Sequence, residues 1–199
     1  MPGEIGVRGG SWTRLYEPVP PESLEAVRQG VRRLANDLRR RLGVKVTIDV
    51  EDSAAIIEAE REGQPADLLR ARDIVKALYI GFEPQEAAQL LDEDYMLIAI
   101  DVAQAVEGKE NHLRRILGRI IGENGRARRT LEEITGTRIV VNDRGMVGII
   151  GDYERATIAR HGVELLVQGR MHSTVYRRLE SMVRELKRRR STELWYERR

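Results

Sequence analysis

The chain has no cysteine. That excludes disulfides and any cysteine-ligated zinc or iron–sulfur centre, and it fits a cytoplasmic protein. Histidine is scarce: His112, His161 and His172 are scattered at no metal-ligand spacing. No run of about 18 apolar residues occurs, so neither a membrane-spanning helix nor a membrane partner is expected. The opening Met-Pro-Gly-Glu-Ile-Gly lacks the apolar core of a signal peptide. Aromatic residues make up only 5% of the chain, which limits ring stacking as a means of recognition. No motif gathers carboxylates or histidines to hold a metal or activate water, so no enzyme and no cofactor is expected. Asp92, Glu93 and Asp94 are adjacent acids that read as a helix-end cap and turn.

What is present suits a folded protein. The 199 residues are enough for one large or two small domains, and 41% apolar with 33% charged residues allows a core and a solvated surface. Of the 34 basic residues only Lys45, Lys76, Lys109 and Lys187 are lysines; the other 30 are arginines. Net charge is +2 and the isoelectric point is near 9.0, a mild hint of a polyanionic partner. Arginine suits bidentate phosphate contacts. Genomic base composition or a hot environment accounts for the same bias equally well.

The most informative stretch is Ile120-Ile121-Gly122-Glu123-Asn124-Gly125-Arg126. Two glycines flank two polar residues, so another chain's backbone can approach closely. The amides of the next helix N-terminus attract phosphate there. Upstream, Leu113, Ile116, Leu117, Ile120 and Ile121 recur at helical spacing and predict a helix over Asn111 to Ile121. Downstream, Ala127, Leu131 and Ile134 predict a second helix ended by Thr135-Gly136. Thr137 to Val141 and Met146 to Gly151 read as strands joined by the turn Asn142-Asp143-Arg144-Gly145. Asp152 can cap a helix from Tyr153 to about Val167, and Tyr95 to Ile100 reads as an earlier strand. No Lys-Ser or Lys-Thr follows Gly125, and the loop joins two helices, so neither a P-loop nor a dinucleotide fingerprint is supported. The order strand, helix, Gly-x-x-Gly, helix, strand, strand, helix resembles a type I K-homology (KH) domain. The GXXG loop of that family clamps about four nucleotides of single-stranded nucleic acid.

The same unit is legible a second time. Gly43 to Asp49 lies over Gly136 to Asn142, and Ala54 to Ile57 over Val147 to Ile150. The first copy gains residues around Glu62-Gly63-Gln64-Pro65, after which Ala71-Arg72, Val75, Leu78 and Gly81 match Ala159-Arg160, Val163, Leu166 and Gly169. At the two glycine positions it carries Gln29 and Arg32, within what reads as one long helix from Ser23 to Arg41. This unit is therefore a degenerate KH-like domain, left with three roles: packing, extending an RNA surface, or binding a protein. Residues 1–10 are expected to be mobile or a loosely held edge.

Gly118 to Gly125, Leu131-Glu132-Glu133-Ile134-Thr135-Gly136 and His172-Ser173-Thr174-Val175-Tyr176 resemble one family. So does the inter-domain stretch Gly81-Phe82-Glu83-Pro84. It is the archaeal and eukaryotic two-KH family of small-ribosomal-subunit assembly factors known as partner of the Nob endonuclease. The resemblance implies an α+β chain of two tandem type I KH-like domains, each with a three-stranded antiparallel sheet and helices on one face. A degenerate domain over 1–92 is followed by a GXXG domain over 93–170 and a basic C-terminal helix over 171–199. It further implies a cytoplasmic, non-enzymatic factor that binds single-stranded rRNA near the 3′ end of the small subunit. The 3′-end endonuclease and translation initiation factor 2 alpha are its implied partners.

The expected RNA contacts are these. Gly122 and Gly125 admit the sugar-phosphate backbone, Asn124 hydrogen-bonds it, and Glu123 points to solvent. Arg119, Arg126 and Arg129 meet phosphates. Ile121, as core or groove floor, joins Arg138, Ile139 and Val140 of the following strand in a groove for unstacked bases, with base-edge hydrogen bonds largely from that strand. His172 and Tyr176 fit helix packing. The C-terminal Arg184, Lys187, Arg188, Arg189 and Arg190 read either as an RNA-holding face or as a solvated tail. A protein scaffold with little direct RNA contact is the competing reading.

Overall fold

A computed structural model of the protein describes residues 6–8, 11–60, 65–106 and 110–197. It divides into two compact units, Met1–Tyr95 and Met96–Arg199.

In the first unit, strands β1 (Gly6–Arg8) and β2 (Ser11–Pro18) precede helix α1 (Leu24–Asp37), which runs on through a wider π turn over Leu38–Leu42. Strands β3 (Val44–Asp49) and β4 (Ala54–Ala59) and helix α2 (Pro65–Ile80) follow. The helical stretch from 24 to 42 is unbroken, as expected, and the reason is visible in its pattern. Val27, Val31, Leu34, Leu38 and Leu42 form a single buried stripe, and Gln29 and Arg32 are exposed on the opposite side. Gly43 ends it in the left-handed conformation (φ 64°). Gly30 lets α2 come close: a Cβ there would lie 2.6 Å from Leu78 Cδ2. The sheet has the order β1-β2-β4-β3, so β1 adds a fourth strand to the expected three. Most of the N-terminal stretch expected to be mobile or a loose edge lies outside the described residues, as do Glu62, Gly63 and Gln64. A short helix α3 (Pro84–Ala87), held by a reciprocal Glu83–Glu86 capping box, closes the unit.

The second unit comprises β5 (Tyr95–Asp101), α4 (Val102–Ala105), α5 (Glu110–Ile121), α6 (Arg126–Thr135), β6 (Arg138–Val141), β7 (Met146–Asp152), α7 (Tyr153–Val167) and α8 (His172–Glu197). Its sheet order is β5-β7-β6, the order of β2-β4-β3 in the first unit. Gly136, in the same left-handed C-terminal position as Gly43, ends α6 at φ 70° and leads into an edge strand as Gly43 does. The duplicated register thus reappears as a duplicated topology. Asp152 caps α7 by accepting from the Arg155 N–H, as its position foretells.

The C-terminal helix, given its own span over 171–199, joins the core of the second unit. Val175, Leu179, Val183 and Leu186 lie in the same core as Ile116, Ile120, Leu131, Ile149 and Val163. A Cβ on Gly162 of α7 would come within 2.6 Å of Leu179 Cδ1, so the absence of a side chain there allows α8 to seat. The apolar residues of α8 recur at three and four, which continues the core of the second unit for several turns.

Candidate nucleic-acid interface

The loop between α5 and α6 has the conformation its sequence demands. Gly122 (φ 72°, ψ 176°), Asn124 (φ 51°) and Gly125 (φ 75°) all have positive φ. Glycine adopts such angles freely, and asparagine is among the few other residues that tolerate them. The two glycines differ in what surrounds them. A Cβ on Gly122 would lie 2.6 Å from the Ala127 Cβ, whereas nothing lies within 4 Å of one on Gly125. Gly122 is therefore needed for the loop to fold onto α6, while Gly125 keeps open the space in front of the loop. Gly125 also stands at the N-cap of α6 with no side chain capping the helix. The first-turn amides thus carry the partial positive charge of an uncapped helix end.

Around the loop, Glu123 and Asn124 are exposed and Ile121 is half-buried. Arg129 donates to the Asn124 carbonyl at 2.9 Å and so braces the loop from within. Arg126 and Arg138 are exposed and form no salt bridge among the described residues. Arg119 is held differently: it donates to the Arg170 carbonyl at 2.7 Å, and its Nε is buried without a partner. In β6 the alternation places Arg138 outward and buries Ile139 fully, with Val140 half-buried. The Ile139 side chain therefore belongs to the core, and only its main chain can face a groove.

Two residues left to packing take definite places. His172 Nε2 lies 2.8 Å from the Arg119 carbonyl, and its ring sits 5.9 Å from that of Tyr176, tilted by 56°. Burial pushes the Tyr176 phenol above its ordinary range, while a hydrogen bond with Thr130 and the nearby Arg126 charge pull it back. The start of α8 is thereby tied to the end of α5 and the first turns of α6, the two helices that frame the loop.

The basic run of α8 is largely neutralised by its own surroundings. Arg190 bonds Glu154 at 2.7 Å and Asp152 at 3.2 Å, Arg189 pairs with Glu154, Arg188 with Glu185 at 2.8 Å, and Arg184 with Glu180 at 3.9 Å. Sequence reasoning did not single out Arg128 and Glu132 as site residues. They form a helical ion pair at 3.7 Å, and both also reach across to β6. Helical spacing announces an i, i+4 pair and carries no signal for a bond to a strand edge.

Comparison with known proteins agrees with this geometry. A family model for the second KH domain of PNO1, described as a eukaryotic type KH-domain (KH-domain type I), matches residues 96–184. A KH domain-containing protein of Methanocaldococcus jannaschii is 36% identical over 79% of this chain and 68% of its own length. The RNA-binding protein pno-1 of Caenorhabditis elegans is 31% identical over 89% of this chain, which spans 64% of that protein. A crystal structure of an Aeropyrum pernix protein of unknown function superposes with a TM-score of 0.86 at 49% identity, covering 92% of this chain and 97% of that one. Dim2p of Pyrococcus horikoshii, solved in a complex with a/eIF2alpha and rRNA, gives a TM-score of 0.76 at 32% identity over 86% of this chain and 94% of its own. With its two KH-like units, its GXXG loop and these relatives, the chain belongs to the PNO1/Dim2-type family of KH-domain ribosome assembly factors.

Proposed function

We propose that the protein binds single-stranded RNA near the 3′ end of small-subunit rRNA, through the GXXG loop of its second unit, during assembly of that subunit. The observation that carries the reading is the open space before Gly125 at the uncapped N-terminus of α6. A phosphate seated there meets the first-turn amides and the positive end of the helix dipole. Arg126 and Arg129 flank that position, Arg119 joins them only by leaving its bond to the Arg170 carbonyl, and Asn124 offers its amide to the sugar-phosphate backbone. Unstacked bases lie in the groove between α6 and β6, against Ile121 and Val140, with Arg138 at its rim and the Ile139 main chain along its edge. Glu123 stays in solvent.

The names of the relatives support this reading. The Caenorhabditis protein is called RNA-binding, and the Pyrococcus protein was solved together with rRNA and a/eIF2alpha. By extension this chain associates with initiation factor 2 alpha and works in the cytoplasm beside the endonuclease that matures the rRNA 3′ end. It acts by binding and not by catalysis. Titrating the protein with a labelled strand copying that 3′ end, a scrambled strand and a duplex of equal length tests the assignment. The first is expected to bind at least tenfold tighter than the duplex (about 1.4 kcal/mol) and to be recovered uncleaved. Equal affinity for all three, or metal-dependent cleavage by the pure protein, contradicts it.

A further inference from the structure

The chain has four asparagines, and only Asn124 precedes a glycine. The main-chain nitrogen after an asparagine can attack that residue's side-chain carbonyl, and a side chain on the attacking residue obstructs the approach. Gly125 has none, and nothing lies within 4 Å of where its Cβ would stand. The other three asparagines are guarded. Asn36 lies inside α1 and is followed by Asp37, and Asn111 lies in the first turn of α5 and is followed by His112. Asn142 is followed by Asp143, and its Oδ1 already accepts from the Met146 N–H at 2.9 Å.

The loop also prepares the attacking nitrogen. Asn124 is exposed and held at φ 51°, ψ 31°, a left-handed conformation that asparagine tolerates but does not favour. The peptide group joining it to Gly125 is polarised from one side and weakly held on the other. Its carbonyl accepts from the Arg129 guanidinium at 2.9 Å. Its N–H donates to the Gly122 carbonyl at 3.2 Å, the long limit for such a bond. Gly125 is the N-cap of α6, at the positive end of the helix dipole. Loss of the N–H proton leaves an anion spread over this peptide group, and both the guanidinium and the dipole favour that charge.

We propose that Asn124 is a site of spontaneous deamidation, and that the change disables the loop as an RNA clamp. The Gly125 nitrogen, having given its proton to water, forms a bond to the Asn124 Cγ. The Cγ–Nδ2 bond breaks, and ammonia leaves with that proton. Water then opens the cyclic imide and leaves a carboxylate at position 124, as aspartate or as its backbone-shifted isomer. Nothing is oxidised or reduced. The effect on binding rests on the reading that a phosphate lies before Gly125. The change removes an N–H donor and sets a negative charge beside that position, where Arg126 and the first-turn amides attract it in the phosphate's place. RNA-free protein therefore ages, and bound RNA protects it by holding the loop.

The test is to age the full chain at mildly alkaline pH in water labelled with heavy oxygen, and to read label uptake peptide by peptide from the mass. The Asn124 peptide is expected to take up label at least about tenfold faster than the peptides holding Asn36, Asn111 and Asn142, a barrier lower by about 1.4 kcal/mol. A rate no greater than theirs overturns the proposal. Enough of a strand copying the 3′ end of small-subunit rRNA to leave about a tenth of the protein free is expected to slow the uptake about tenfold. An unchanged rate contradicts the protection. Fresh Asn124→Asp is expected to bind that strand at least about tenfold more weakly than fresh wild type. Asn124→Gly adopts the left-handed conformation freely and has no amide to lose, so it keeps its affinity on ageing while wild type loses affinity in step with the label. Equal loss by Asn124→Gly, or wild-type affinity that outlasts the conversion, sinks the effect on binding. A fresh wild type that binds no strand sinks the RNA-binding reading, and label uptake then decides the modification by itself. Strong fresh binding without preferential uptake at Asn124 sinks this inference alone.

Discussion

The two glycines of the loop are chemically identical and do different work. Gly122→Ala brings a Cβ against Ala127 in a backbone conformation that L-residues avoid, and is expected to destabilise the protein by about 3 kcal/mol. Gly125→Ala meets only the conformational penalty, about 1 kcal/mol, because the space around it is empty. Urea unfolding of the two variants separates these effects, and equal losses would show that the loop is not seated on α6 as described. A residue-scale prediction also concerns the first unit. Glu17 is buried on β2, 3.6 Å from Lys76 and 3.4 Å from the Tyr79 hydroxyl. Burial raises its pKa above the ordinary carboxylate value, with Lys76 and Arg72 opposing the shift. A raised folded-state pKa means that the folded protein holds this proton more tightly than the unfolded chain does. The contribution is therefore fully present below the unfolded pKa and is lost as pH rises through the folded one. Glu17→Gln is expected to raise the melting temperature at pH 7 and to leave it unchanged at pH 3. A lower melting temperature at pH 7 would show that the Lys76 contact outweighs burial.

At the scale of elements, α8 is the test case. It shares the core of the second unit and is pinned at its start by His172. Leu179→Ala is expected to destabilise by about 2–5 kcal/mol, since the side chain is fully buried against Gly162. His172→Ala is expected to lose about 1 kcal/mol through its bond to the Arg119 carbonyl. Chemical denaturation followed by circular dichroism measures both. If neither changes stability, α8 is an appendage. Much of the rest was legible beforehand. Helices α5, α6 and α7 follow from apolar residues at helical spacing, and the turn at Asn142 to Gly145 follows from its residues. The unbroken helix of the first unit follows from side chains at the two glycine positions. Other features depend on which surfaces meet in three dimensions. The membership of α8 in the core needs Gly162 opposite Leu179, residues 17 apart whose meeting no periodicity reveals. The bonds from Arg128 and Glu132 to Ile139 need α6 and β6 side by side. The pairing of Arg189 and Arg190 needs Asp152 and Glu154, more than 30 residues away, at the facing end of α7.

At the scale of the whole molecule, a duplicated topology carries two different surfaces. The first unit replaces loop and helix pair by one continuous helix, and the GXXG loop is confined to the second. Net charge of only +2 leaves little long-range attraction, so phosphate contact depends on which arginines are free of acidic partners. Arg126→Ala is accordingly expected to lower the slope of log affinity against log salt by about 0.7, the value for one phosphate contact to a single strand. Arg188→Ala, whose guanidinium is held by Glu185 at 2.8 Å, is expected to leave that slope unchanged. Equal slopes for the two variants would move the RNA surface onto α8. The central claim, that the loop of the second unit is the clamp, is tested most directly by the affinity of wild type and Gly125→Asp for a strand copying the 3′ end of small-subunit rRNA. Matched unfolding curves must first show that both are folded. The account predicts a loss of at least tenfold in the variant, because its side chain and charge enter the open space where the phosphate lies. Undiminished binding by a folded Gly125→Asp would contradict it.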